Sequence, residues 1–331
     1  MSEAIKLDVI DKKILTQLDI NCRIPSTKLA KIINKSRQTV DYRISNLQKQ
    51  GIITSFTTSI NPHKIGYKLY KVYLKLKNIP LIKTSLLNHL KSSGIVYWIG
   101  ECSGRYDLIF ATFSKDDKTF VDFKNNLISE YKEIIVDLKG DILVYVKQYP
   151  KMYFLNKIQQ STYFAGEIVN NKIDEIDEQI LEKIINNARE SIYKLSIDIG
   201  VSPAAIKSHM KKMQELGIII QYRISVDLNK LNLELYKAII TLERFNSEDE
   251  KQLIRYLSNI PNIIYYIKNM WQLEIEFIVN NYQEYYKILE ELKKNFTNII
   301  NTVDFVLMIT DEWTPGYKNL LKLELPKNNI G

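Results

Sequence analysis

With 331 residues, 45% apolar and 25% charged, the chain has room for roughly two to four small domains and the make-up of a soluble globular protein. Its apolar runs are too short for a membrane-spanning helix. Its opening, "MSEAIKLDVIDKK", lacks the apolar stretch of a signal peptide, and Cys22 and Cys102 are too far apart to suggest a disulfide framework. A reducing, cytoplasmic setting is expected. The net charge of +8 is unevenly spread: residues 1–75 hold 14 Lys/Arg against 5 Asp/Glu, whereas 172–237 hold 10 against 10. Gathered basic charge suits a nucleic-acid contact, or else a lysine-rich solvated surface.

In chain order, Ile10, Ile14, Leu15 and Leu18 recur at helical spacing. "PSTKLAKII" predicts a second helix with Pro25 in its first turn. Ser36 then caps a third, in which Val40, Ile44 and Leu47 face inward and Gly51 ends the run. "IITSFTTSI" alternates as a strand. Three helices and a strand pair make a winged helix-turn-helix over 1–65. Next come a strand ("LYKVYLKL"), a helix near 80–92, two strands ("IVYWIGE", "YDLIFATF"), a helix near 116–131 and a last strand ending near Val146. That order, βαββαβ over 66–150, is ferredoxin-like.

Everything then repeats at an offset of 166 positions. Asp8 pairs with Asp174, Asp11 with Asp177, Ile14-Leu15 with Ile180-Leu181, Arg23 with Arg189, Gly51 with Gly217, and "LYK" at 69–71 with "LYK" at 235–237, without a gap. The fold class is therefore α+β, in two tandem repeats. The expected divisions are 1–65 and 66–150, a connector over 151–171, a second winged unit over 172–231, a second ferredoxin-like unit over 232–313 and a tail over 314–331.

"LDVIDKKIL" (7–15), "NCRIPSTKLAKII" (21–33), "SRQTVDYRISNLQKQGII" (36–53), "NPHKIG" (61–66) and "GRYDL" (104–108) resemble the Lrp/AsnC family of transcriptional regulators, and "IDEIDEQIL" and "WQLEIEF" carry the likeness into the second half. An ordinary member has one such unit, so the tandem form is a departure. The resemblance implies duplex DNA as partner, a small-molecule effector such as an amino acid, no membrane, and assembly through the ferredoxin-like domains. With two units in one chain, that assembly is either an intramolecular pseudo-dimer or a homo-oligomer.

The recognition helix of the first copy offers Ser36, Arg37, Gln38, Thr39, Tyr42, Arg43 and Lys49. Arg can take guanine and Gln adenine in the major groove, while Ser36 and neighbouring amides suit a phosphate. The second copy offers Ser202, Lys207, Ser208, Lys211 and Lys212 beside Pro203, Ala204 and Ala205, a set that binds backbone and reads little. In both copies the bland reading is an exposed polar helix. The family's effector site implies Gly104, Tyr106 and Asp107, although a glycine there also serves a tight hairpin.

Neither metal nor cofactor is expected, since His63, His89 and His209 form no cluster at ligand spacing with one another or with cysteine. Two alternatives stand beside the DNA-binding regulator. One is a metabolite-sensing module without DNA readout. The other is a sirohaem-decarboxylase-like enzyme on a similar fold, which calls for basic groups and histidine around a tetrapyrrole.

Overall fold

The computed structural model describes residues 5–155, 161–243 and 245–313; the expected tail, 314–331, lies outside them. The first repeat opens with α1 (Val9–Ile20), α2 (Ser26–Ile33) and α3 (Arg37–Lys49). Asp8 and Asp11 exchange side chain and amide across the first turn of α1, satisfying two amides that the helix leaves orphaned. Pro25 stands at the N-cap of α2, just outside its first turn. Asn34 takes the left-handed conformation between α2 and α3, and the Ser36 side chain caps α3 on the Thr39 amide. Ile14, Leu15, Leu18, Leu29, Val40, Ile44 and Leu47 close the three-helix core.

β1 (Ile53–Ile60) follows, then β2 (Lys68–Leu76), α4 (Pro80–Ser92), β3 (Val96–Gly104), β4 (Leu108–Ser114), α5 (Asp117–Glu130) and β5 (Ile135–Gln148). The connector carries β6 (Thr162–Ala165). The second repeat runs α6 (Glu175–Ile184), α7 (Ile192–Ile199), α8 (Pro203–Glu215), β7 (Ile219–Val226), β8 (Glu234–Leu242), α9 (Ser247–Leu257), β9 (Ile263–Asn269), β10 (Leu273–Val279), α10 (Tyr282–Asn295), β11 (Ile300–Met308) and a short β12 (Glu312–Trp313).

The strand pair expected inside each winged unit is not there. Each repeat supplies one strand, and β1 pairs antiparallel with β7 across the repeats. Directly after Ile60 the chain turns through Pro62–Lys64 towards β2, so β1 has no local partner and would expose an open edge. The equivalent strand of the other repeat covers it. The register is symmetric: Phe56 faces Ile224, Thr58 faces Tyr222, and Thr57 faces Arg223, its own counterpart at the 166-residue offset. An approximate twofold axis therefore passes through the Thr57–Arg223 pair. Flanking hydrogen bonds obey it, with the Cys22 amide on Tyr222 O matched by the Ala188 amide on Phe56 O, both at 2.9 Å.

The ferredoxin-like units join by their edges. The sheet path runs β11-β8-β10-β9-β5-β2-β4-β3, and β11 also pairs β3, so the path closes on itself as a barrel with helices outside. Closure removes the free edges that each half would present alone. The connector is a packed one: β6 pairs β5, Asn61 grips both backbone groups of Ala165 (3.0 and 3.1 Å), and His63 Nδ1 lies 2.7 Å from Gly166 O.

Gly104 stands at the β3–β11 closure with φ of 126°, and a Cβ there would lie 2.6 Å from the Phe305 carbonyl oxygen. The strained conformation and the clash both belong to the native state alone. Gly104→Ala is expected to cost roughly 1–3 kcal/mol, seen as a lower denaturant midpoint in equilibrium unfolding.

Candidate nucleic-acid interface and the barrel beneath it

On α3, Ser36, Arg37, Gln38, Tyr42 and Lys49 are exposed, and Thr39 is half-buried. The Ser36 hydroxyl is engaged on Thr39. Among the described residues Arg37 pairs with Asp41 alone, an exposed i,i+4 pair at 3.3 Å, weak enough to exchange for a base or phosphate. Arg43 is held differently: its guanidinium bonds Asp8 (2.7 Å) and Asp11 (3.2 Å), bracing α3 against the capping box of α1. The pairing with Asp8 raises the Arg43 pKa. Arg43, a candidate DNA contact, is thus engaged within the winged unit in this structure.

The second copy makes the same brace from other residues. His209, the counterpart of Arg43, places Nδ1 2.7 Å from Asp177, and Lys212 lies 2.8 Å from the same carboxylate and 3.5 Å from Asp174. Asp174, Asp177 and His209 come within the reach of one metal ion, a convergence that spacing alone hid. The Lys212 ammonium already neutralises those carboxylates, so a salt bridge is the simpler account. Ser202 caps α8 on the Ala205 amide. Lys207, Ser208 and Lys211 are exposed, with Lys211 near Glu215 at 3.5 Å.

Gly104, Tyr106 and Asp107 do meet at one hairpin, and each has a part in holding it. Tyr106 is buried against Tyr73 at 5.2 Å between ring centroids. Asp107 accepts from the Leu76 amide (2.8 Å) and Lys75 (3.1 Å).

The barrel interior carries the charges that the strand pattern hides. Glu274, fully buried, accepts from Lys71 (3.0 Å), Lys237 (2.6 Å), Asn269 (2.7 Å) and the Tyr73 hydroxyl. Lys237 also reaches Glu276 at 2.8 Å. Burial opposes the charge on Glu274, but the two ammonium groups outweigh it and hold its pKa well below the usual range. Burial likewise opposes the charge on Lys237, and the two glutamates outweigh it and raise its pKa. Lys71 and Lys237 are counterparts in the two repeats. Glu274 and Glu276 sit where the first repeat has Ile109 and Ala111, by their matched pairing to β8 and β2. Two copies of the first repeat would therefore bring two such lysines and neither glutamate, and two copies of the second would bring four glutamates to two lysines. Unlike repeats match these two lysines with these two glutamates.

A second ionic group lies where the ribbon meets the barrel. Asp19, fully buried on α1, accepts from Arg223 Nε (3.0 Å) and Nη2 (2.8 Å) and from Lys151 Nζ (2.7 Å). Burial pushes the Asp19 carboxyl up, but the two cations prevail and hold it at about 2. Its counterpart is Ile185 and that of Arg223 is Thr57, so this group has no mirror image.

The sequence pattern of winged helix-turn-helix DNA-binding domains matches residues 7–54 and 173–220. The chain is 34% identical over 110 residues to the HTH-type transcriptional regulator Ptr1 of Methanocaldococcus jannaschii, covering 33% of this chain and 74% of that protein. It is 29% identical over 137 residues to the HTH-type transcriptional regulator LrpA of Pyrococcus abyssi, covering 38% and 87%. Along nearly its whole length, 95% of this chain and 97% of the other, it superposes on the sirohaem decarboxylase NirDL with a TM-score of 0.62 at 10% identity, a likeness of fold alone.

Proposed function

The chain belongs to the Lrp/AsnC family of helix-turn-helix transcriptional regulators, and from that premise we propose that it reads duplex DNA with two unequal recognition helices carried by one polypeptide. The observation behind this is the symmetric β1–β7 ribbon, which ties the two helix-turn-helix units into a fixed pair within the chain. Family dimers present paired units from two subunits. Here the unlike barrel halves favour pairing within one chain, because only that combination balances Lys71 and Lys237 with Glu274 and Glu276.

α3 does the reading, through Arg37, Gln38 and Tyr42, with Lys49 on the backbone. α8, showing Pro203 and Ala204 at its tip, holds phosphates through Lys207 and Lys211. A small metabolite such as an amino acid tunes the complex. Arg37→Ala is expected to weaken binding to a preferred site by roughly 1–3 kcal/mol and relax specificity, and Lys211→Ala to weaken all sequences alike and shallow the salt dependence by about one unit. Fluorescence anisotropy with specific and random duplexes at several salt concentrations separates the two; equal loss of specificity from both changes overturns the division of labour.

An enzymatic reading draws on the whole-chain likeness to a decarboxylase. The three histidines are dispersed: His63 lies against the connector, His89 pairs with Glu130 at 3.1 Å on the outside of the barrel, and His209 belongs to the second winged unit. The regulator accounts for more of the residues in place.

A further inference from the structure

The two helix-turn-helix units differ most sharply ahead of their recognition helices. Residues 20–40 carry five Lys/Arg and no Asp/Glu, whereas the matching stretch 186–206 carries two of each. Arg23 is turned inward, onto the Ala188 carbonyl, and Arg37 stands on α3. The other three, Lys28, Lys31 and Lys35, are exposed, and their ammonium groups have no hydrogen-bond or ion-pair partner among the described residues.

Spacings of three and then four residues line these lysines along one side of α2 and into the turn that follows, opposite the buried Leu29, Ala30 and Ile33. The row leads directly to Ser36 and Arg37 at the start of α3. It spans roughly 10 Å at about 1.5 Å per residue. One strand of a duplex carries a phosphate about every 3.4 Å of axis, so ammonium groups spread over that length suit a run of phosphates on one strand.

No such row exists on α7. Val201 stands in the place of Lys35, Ile197 in that of Lys31 and Tyr193 in that of Thr27, and Tyr193 and Ile197 are exposed. Lys194, the counterpart of Lys28, is paired with Glu190 at 2.9 Å. Asp198, in the place of Ile32, adds a negative charge to the helix.

We infer that α2 is a one-sided phosphate clamp: Lys28, Lys31 and Lys35 hold a run of backbone phosphates beside the bases that α3 reads, and α7 has no equivalent grip. The inference rests on the DNA reading above. A helix-turn-helix lays its first helix across the backbone, so the chain grips the duplex more heavily at the half-site of α3. Phosphates carry no base identity. The clamp therefore sets affinity, while Arg37 and Gln38 set sequence preference.

Fluorescence anisotropy on the full chain, with one preferred and one random duplex, compares the wild type with the clamp variant Lys28→Gln/Lys31→Gln/Lys35→Gln. The control Lys118→Gln/Lys132→Gln/Lys287→Gln removes the same charge from exposed positions on or beside α5 and α10. Losing three phosphate contacts makes the salt slope shallower by about 2.7 units, so between about 50 and about 200 mM salt the wild type loses roughly 40-fold more affinity than the clamp variant. Both duplexes are expected to show this change in the clamp variant, and neither in the control. Ethylation interference then places the contacts: the sensitive phosphates are more numerous at the half-site of α3 than at that of α8, and the excess disappears in the clamp variant. An unchanged slope in the clamp variant, an equal change in the control, or equal numbers of sensitive phosphates at the two half-sites overturns the clamp and leaves the DNA reading standing. A wild type that binds neither duplex overturns the DNA reading, and the clamp with it.

Discussion

Glu274→Ala is expected to destabilise the protein by about 3–5 kcal/mol, the range for removing one partner of a buried charge pair. The wild-type carboxylate is fully buried and receives four donors, two of them ammonium groups. With it gone, Lys71 loses its ion-pair partner and Lys237 keeps Glu276. Glu276→Ala should cost less, because that carboxylate has one ionic partner, Lys237, where Glu274 has two. Equilibrium unfolding in urea gives both values. A Glu274→Ala loss below about 1 kcal/mol, the scale of an exposed pair, would contradict the description of the barrel interior.

Asp19→Asn is the second large effect, again about 3–5 kcal/mol, because Arg223 and Lys151 are then left buried with a neutral partner. This group also gives a pH signature. The folded carboxyl titrates at about 2, below its ordinary 3.8, so ionised Asp19 stabilises the native state. That contribution, roughly 2 kcal/mol at one pKa unit per 1.36 kcal/mol, is complete above about pH 4 and fades as pH falls through 4 towards 2. The wild type should therefore lose stability over that window more steeply than Asp19→Asn, and above pH 5 the difference between them should be flat. Parallel curves down to pH 2 would mean that Asp19 is not held by its two cations.

How far the sequence spoke depended on the range of each interaction. Local signals were legible: Ser36 and Ser202 as caps, the apolar stripes of the recognition helices, and the βαββαβ order all followed from spacing within a few residues. Pairing between repeats was not, because β1 and β7 lie more than 150 residues apart and carry no turn that would announce them. The interior charges were not legible either. In "LEIEFIV" and "LYKVYLKL" strict alternation assigns Glu274, Glu276 and Lys71 to the face away from the helices, which an open sheet would turn to water. Barrel closure makes that face the inside, so these residues form its ionic core. At the interface, the pairing of Arg43 with Asp8 and Asp11, some 30 residues earlier, was likewise not legible from spacing.

Binding selection from a random duplex DNA pool, with this chain at concentrations where its mass is that of one polypeptide, tests the central claim most directly. Two unlike half-sites about one helical turn apart, one strongly conserved and one weakly, are the result expected of a single chain with unequal helices. A palindrome with two equal half-sites would show that two α3 helices from separate chains read the site, and the pseudo-dimer account would fall.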